Sequence, residues 1–273
     1  MNDIDFILKW TEDLKAEIVE LQFEMDDIRS DFFRLAYSSS YQYYKGYISY
    51  NLSLFIRQGK IAFNDNISSF SVHISRLAQV SQEPLLTQSH TNALNRNLII
   101  DLWSVFELCV TPFCNALCEG IELEKLLNYN YTEIIKFLKK SALDETDRQK
   151  LKNHLVKENL VHVPITRKTD FLFNKTVNYY GDIKKDKEFL IFFGKLRNTM
   201  HTNFIYYGKD YEYKFGDAHF IFKSGKLVKW VDPFEPSPKL YFYLVGRLKE
   251  IWKTLITSIK HDGIIFYPDL DQE

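Results

Sequence analysis

The sequence predicts a mainly α protein, an antiparallel helical bundle with a small antiparallel β-meander inserted after one of its later helices. Three observations predict it. Apolar residues recur at helical spacing from Ile7 onward, with charged residues filling most of the gaps. After Asn203 the period changes to short aromatic or β-branched runs divided by glycines. From Lys239 the helical period resumes. There is no internal repeat, low-complexity tract or long linker. Residues 1–273 therefore read as a single helical domain, with the meander over about 204–231 and the last helix over about 239–260.

Residues 4–36 read as one amphipathic helix through Ile7, Trp10, Leu14, Ile18, Leu21, Met25, Ile28, Phe32 and Leu35, which Ser38-Ser39-Ser40 should break. Residues 41–57, with Tyr43, Tyr44, Tyr47 and Tyr50, suit a second helix, and residues 61–82 a third that Pro84 ends. Residues 92–119 are apolar nearly all round, which predicts a central buried helix, kinked or bounded at Pro112 and capped by Gly120. Shorter helical pieces follow at 121–127, 131–140 and 144–157, then a mixed polar stretch over 161–182, then a helix over 184–201. The strand-like runs are 204–207, 211–215, 219–222 and 227–230, divided by Gly208, Gly216-Asp217 and Ser224-Gly225. Pro233, Pro236 and Pro238 precede the last helix, and residues 264–267 read as an added edge strand.

Bulk composition narrows the function. Thirty-five basic and 36 acidic residues leave a net charge of −1, so no global basic field drives non-specific nucleic-acid binding. Any nucleic-acid contact must come from a local patch or from a site shared between subunits. The 22 Phe and 17 Tyr imply a core built on rings. Cys109, Cys114 and Cys118 match no zinc spacing and read as core thiols of a reducing cytosol. The polar, acidic start lacks the pattern of a signal peptide, and no uninterrupted apolar stretch reaches membrane-spanning length. A cytoplasmic protein with no membrane contact is expected.

The segment Arg197-Asn198-Thr199-Met200-His201-Thr202-Asn203 carries the most compact chemistry. It closes the apolar run from Phe189 to Leu196. If the helix continues, Arg197 and His201 lie one turn apart on one face. An imidazole can move a proton near neutral pH, and a guanidinium can fork around phosphate oxygens. The two asparagines add neutral donors and acceptors. A structural reading stands beside this one, because Arg and His near a helix C-terminus also favour the helix dipole and cap carbonyls.

The segment resembles the signature of the HEPN superfamily, the higher eukaryote and prokaryote nucleotide-binding helical domains. In these bundles an Arg followed by a polar residue precedes a His on the last long helix. Arg197-Asn198 and His201 occupy those places, at a spacing shorter than the family's common one. The resemblance implies a metal-independent endoribonuclease without cofactor, of a defence or toxin–antitoxin system, acting on RNA as a homodimer whose two motifs face one cleft. It implies His201 as acid or base, Arg197 as stabiliser of the transition state and Asn198 as orienting group, with Lys195, Thr202 and Asn203 contacting substrate. An antitoxin or defence-system protein is the further partner implied. The rival reading is a non-catalytic HEPN-like module for dimerisation, protein interaction or nucleotide binding.

Other candidates are weaker. Asp101 and Glu107 do not share one face of their helix. His73, His90, His154, His162, His219 and His261 show no paired metal spacing, and no metal site is expected. Lys184-Lys185 and Lys139-Lys140 read as solvated faces. Phosphate loops and serine elbows are absent from the sequence, which argues against P-loop and α/β-hydrolase chemistry.

Overall fold

Asn2 starts the chain's first helix by accepting the backbone N–H of Asp5 at 2.8 Å. The computed structural model describes residues 2–24, 26–60, 84–118 and 163–267, with Glu122, Leu126 and residues 144–146. Among them it is mainly helical. In chain order the elements are α1 (Asp3–Leu21), α2 (Ile28–Arg57), α3 (Pro84–Leu117), α4 (Ile165–Lys175), α5 (Ile183–His201), β1 (Ile205–Tyr206), β2 (Tyr211–Phe215), β3 (Ala218–Phe222), β4 (Lys226–Leu227), β5 (Lys229–Val231) and α6 (Lys239–Ser258). The helices expected at 61–82 and 131–140, most of those at 121–127 and 144–157, and the Gly120 cap lie outside the described residues.

The single helix expected over 4–36 is instead two. Gln22 turns left-handed at φ 54° and ends α1. Asp27 then starts α2, its carboxylate accepting the N–H of Arg29 at 2.9 Å. The three serines do not break α2. Ser40 is buried and returns its hydroxyl to the carbonyl of Ala36 at 2.7 Å, so the helix runs on through it. Pro84 begins α3, in keeping with proline's fit to a first helical turn; the helix expected to end before it lies outside the described residues. Pro112 lies inside α3. Asn97, Asp101, Ser104 and Leu108 form one exposed stripe along this helix, while Leu98, Leu102, Phe106 and Phe113 are buried. Between His90 and Leu117 the helix is long and apolar enough to cross a membrane by composition, yet 56% of that apolar window is buried within the fold. The stretch read as mixed over 161–182 contains α4.

Contacts divide the chain into two units. The first comprises Met1–Gln22, Phe33–Ser104 and Phe193–Arg247. Its centre is Phe242 of α6, met edge-on by Phe6 and Trp10 of α1 and by Tyr43 of α2. Tyr43 donates its hydroxyl to Asn95 at 2.7 Å, and burial raises its phenol far above the ordinary value. Asp3 ties this cluster together: it accepts from Tyr47 at 3.3 Å and from Ser237 at 2.7 Å.

Both small sheets belong to this unit. One is β1–β4, the other has the order β2–β3–β5, and all pairs are antiparallel. The run 227–230, expected as one strand, is split. Val228 is buried between β4 and β5 and gives its N–H to the carbonyl of Phe204 at 2.8 Å, one step beyond the β1–β4 pairs.

The second unit comprises Phe23–Phe32, Val105–Phe192 and Leu248–Glu273. Trp252 is fully buried between Phe32, Phe106 and Phe113, at ring-centroid distances of 6.0, 6.0 and 5.7 Å. Its indole N–H donates to the carbonyl of Arg29 at 3.2 Å. The Arg29 guanidinium is itself buried, paired with Asp27 and donating to the carbonyls of His261 at 3.0 Å and Gly263 at 2.6 Å. Ile28 N–H bonds the carbonyl of Ile265 at 2.9 Å. Residues 264–267 are not a strand: the Ile265 carbonyl is taken by the start of α2, and the guanidinium holds the turn just before them, at His261 and Gly263. Replacing Trp252 by Ala is expected to lower unfolding free energy by about 3–5 kcal/mol, since it empties a ring-lined site. The shift of the denaturant midpoint measures this.

Candidate functional site

Helix α5 carries the candidate motif, and its start is well defined. Asp182 accepts the N–H of Lys185 at 3.1 Å, and that backbone bond holds its carboxyl below the usual range. Three residues before Arg197, Gly194 lets α3 approach closely. A Cβ at Gly194 would come within 3.1 Å of the Trp103 ring, which stacks on Phe193 at 5.5 Å. Trp103 thus fixes the last turns of α5 from one side.

The faces of α5 then follow from the 3.6-residue period. Leu196, Thr199 and Met200 are buried; Lys184, Glu188, Ile191, Asn198 and His201 are exposed on the opposite side. Arg197 is half-buried at the boundary, and its Nη1 donates to the Asn198 side-chain oxygen at 3.1 Å. The motif therefore presents Asn198 and His201 to solvent, with the guanidinium alongside. Asn198 therefore orients Arg197, whereas the resemblance implies that it orients His201 or the phosphate.

Thr202 and Asn203 end the helix. The N–H of Phe204 reaches the carbonyl of Thr199 at 2.6 Å, and the Thr202 hydroxyl donates to the carbonyl of Ile205 at 2.5 Å. Asn203 sits at φ 52° and Phe204 at φ 65°. This six-residue closure with a left-handed residue after the cap is a Schellman motif, and Asn is the residue that replaces Gly most readily in it. A poor helix former at 203 thus has a backbone reason. Phe204, forced left-handed without that tolerance, is compensated by packing on Trp230 at 5.8 Å.

Lys195 points to the sheets. Its Nζ donates to the Tyr206 hydroxyl at 3.0 Å and stands 4.8 Å from the centroid of the Tyr211 ring. Tyr206 passes its own hydroxyl proton to the carbonyl of Lys209 at 2.9 Å. Nothing in the spacing of the sequence announces this pairing; only the presence of tyrosines in two neighbouring strand-like runs hints at it.

The remaining candidates lie elsewhere. Asp101 is exposed on α3, and partial burial raises its carboxyl. His90 stacks on Tyr50, His219 faces Glu212 at 3.3 Å and His261 bonds the backbone of Gly263. His73, His154 and His162 are outside the described residues. Among the described residues no three His, Cys, Asp or Glu side chains gather in a way that could hold a metal ion. Burial pushes the thiol of Cys118 up to about 11 and that of Cys114 higher still, so neither is an activated nucleophile.

A cleft of about 420 Å³ in the second unit is lined by Glu122, Leu126, Arg167, Asp170, Phe171, Asn174 and Lys175. It is not foreseen from the residues, because α4 falls in the mixed polar stretch over 161–182. Its cations are already engaged. Lys175 pairs with Glu122 at 2.7 Å, and Arg167 donates to the carbonyl of Leu126 at 2.9 Å.

Comparison of the chain with protein-family models, with curated proteins and with solved structures finds no match. Asn203→Gly is expected to leave stability within a few tenths of a kcal/mol, while Asn203→Val should lower it by about 1–2 kcal/mol, the cost of a left-handed β-branched residue. Thermal unfolding of the two variants measures the difference.

Proposed function

We propose that this chain is a HEPN-like, metal-independent endoribonuclease of the cytoplasm, acting as a homodimer in a defence or toxin–antitoxin setting. The observation that carries the reading is the end of α5, where exposed His201 lies one turn from a guanidinium oriented by Asn198. In this reading His201 removes the proton of a ribose 2′-hydroxyl. The freed oxygen attacks the adjacent phosphorus and the 5′-oxygen leaves with a proton, so no metal-bound water is needed. Arg197 neutralises charge that builds on the phosphoryl oxygens, and the Asn198 carbonyl oxygen keeps the guanidinium fork aimed.

A homodimer supports the reading on electrostatic grounds. With a net charge of −1 one copy has no global basic field, and pairing two copies of Arg197 and His201 would concentrate positive charge locally. Thr202, whose hydroxyl bonds close the helix, and Asn203, whose left-handed backbone turns the chain, serve substrate binding in this reading only through groups left over from that task. That closure is also the specific observation behind a second reading, a non-catalytic interaction module in which the segment only terminates α5.

Purified protein incubated with total RNA and a chelator separates the two. Cleavage is expected to persist in chelator and to fall roughly 10²–10⁴-fold in His201→Ala and in Arg197→Ala, with circular dichroism unchanged. Equal cleavage by wild type and both variants defeats the nuclease reading.

A further inference from the structure

We infer that the outer edge of β2 is a self-complementary pairing surface, through which two copies of this chain join their three-stranded sheets across a two-fold axis at Tyr213. It rests on the sheet alone and stands with or without RNA cleavage.

Among the described residues β2 is a terminal strand of the sheet β2–β3–β5. The β2–β3 hairpin turns through Gly216-Asp217, with Gly216 at φ 57° and Phe215 opposite Ala218. In such a two-residue hairpin the pair flanking the turn exchanges both ladder bonds, and hydrogen-bonded pairs then alternate along the strands. Tyr211, Tyr213 and Phe215 therefore turn their peptide groups toward β3. Glu212 and Lys214 turn theirs away, toward the open edge, and both side chains are exposed on the outer face.

That edge chooses its own partner and register. An antiparallel copy centred on Tyr213 places Glu212 opposite Lys214 of the second copy, and Lys214 opposite its Glu212. These are the very residues whose N–H and C=O groups face outward, so the two pairs close four ladder bonds as well as two opposite-charge contacts. Centring on residue 212 or 214 instead sets Glu against Glu or Lys against Lys. The centre at Tyr213 also brings Tyr211 opposite Phe215 on the aromatic face. The three-residue β5 edge offers no such choice, since centring on Trp230 sets Lys229 against Val231. A two-fold of this kind closes on itself and adds no further free edge at β2.

Sedimentation equilibrium of the full chain over a range of concentrations tests the inference. Wild type is expected to show a reversible monomer–dimer equilibrium. Glu212→Lys or Lys214→Glu alone turns both cross-pairs repulsive and should weaken dimerisation about tenfold or more. The double exchange E212K/K214E should recover it. An equimolar mixture of the two single variants should form a heterodimer, which also proves that each is folded. His201→Ala, which leaves β2 intact, should dimerise like wild type, so loss of cleavage and loss of pairing read separately. A wild-type chain that remains monomeric at high micromolar concentration overturns the inference. So do single variants that dimerise like wild type, or a mixture and a double exchange that both fail to recover pairing.

Discussion

The carbonyl oxygen of Thr199 stands at the junction on which the candidate site and the sheets both depend. It receives the N–H of Phe204 and so stops α5 one turn after Arg197. Had the helix continued, residues 203–206 would have carried on along its axis and β1 could not have met β4. The stop is imposed by two successive left-handed residues, an arrangement costly enough to need over-determination. Over-determination is what surrounds it. The Thr202 hydroxyl reaches Ile205, the Phe204 carbonyl receives Val228, and the Phe204 ring lies on Trp230. The candidate acid–base group therefore sits on the last rigid turn before a fixed reversal, which is where a side chain can be both exposed and held.

Much of this was legible in the residues. The apolar period gave α5 and α6 nearly to the residue, and the glycine punctuation gave β2 and β3 with their turn. What failed did so for local reasons. The gap between α1 and α2 was hidden because the apolar spacing of the two helices happens to stay in phase, while its real signal was one capping aspartate, Asp27. The serine triplet misled because Ser40 satisfies its hydroxyl within its own helix. The split of 227–230 depended on a distant acceptor, the Phe204 carbonyl, that no window around Val228 contains.

The site was legible as chemistry but not as geometry. Arg197, Asn198 and His201 could be named from order and period, yet the donation from Arg197 to Asn198 and the aromatic seat of Lys195 depend on side-chain direction. Asn203 shows the same limit from the other side. As a residue type it is an ambiguous polar neighbour; at φ 52° it is the hinge that ends the helix. The separate cleft beside α4 was invisible because its walls come from segments whose polar composition masks a helix.

The meeting of α1 with α6 has a consequence for the birth of the chain. Phe6 and Trp10 rest on Phe242, so the ring that covers them is translated only after more than two hundred intervening residues. At ordinary synthesis speeds that delay is on the order of tens of seconds. The same holds for Arg29, whose carbonyl acceptors at His261 and Gly263 also lie more than two hundred residues downstream. Throughout that interval the ribosome displays an amphipathic first helix with its apolar stripe uncovered. Phe6 and Trp10 must be sheltered by other means until α6 has been made.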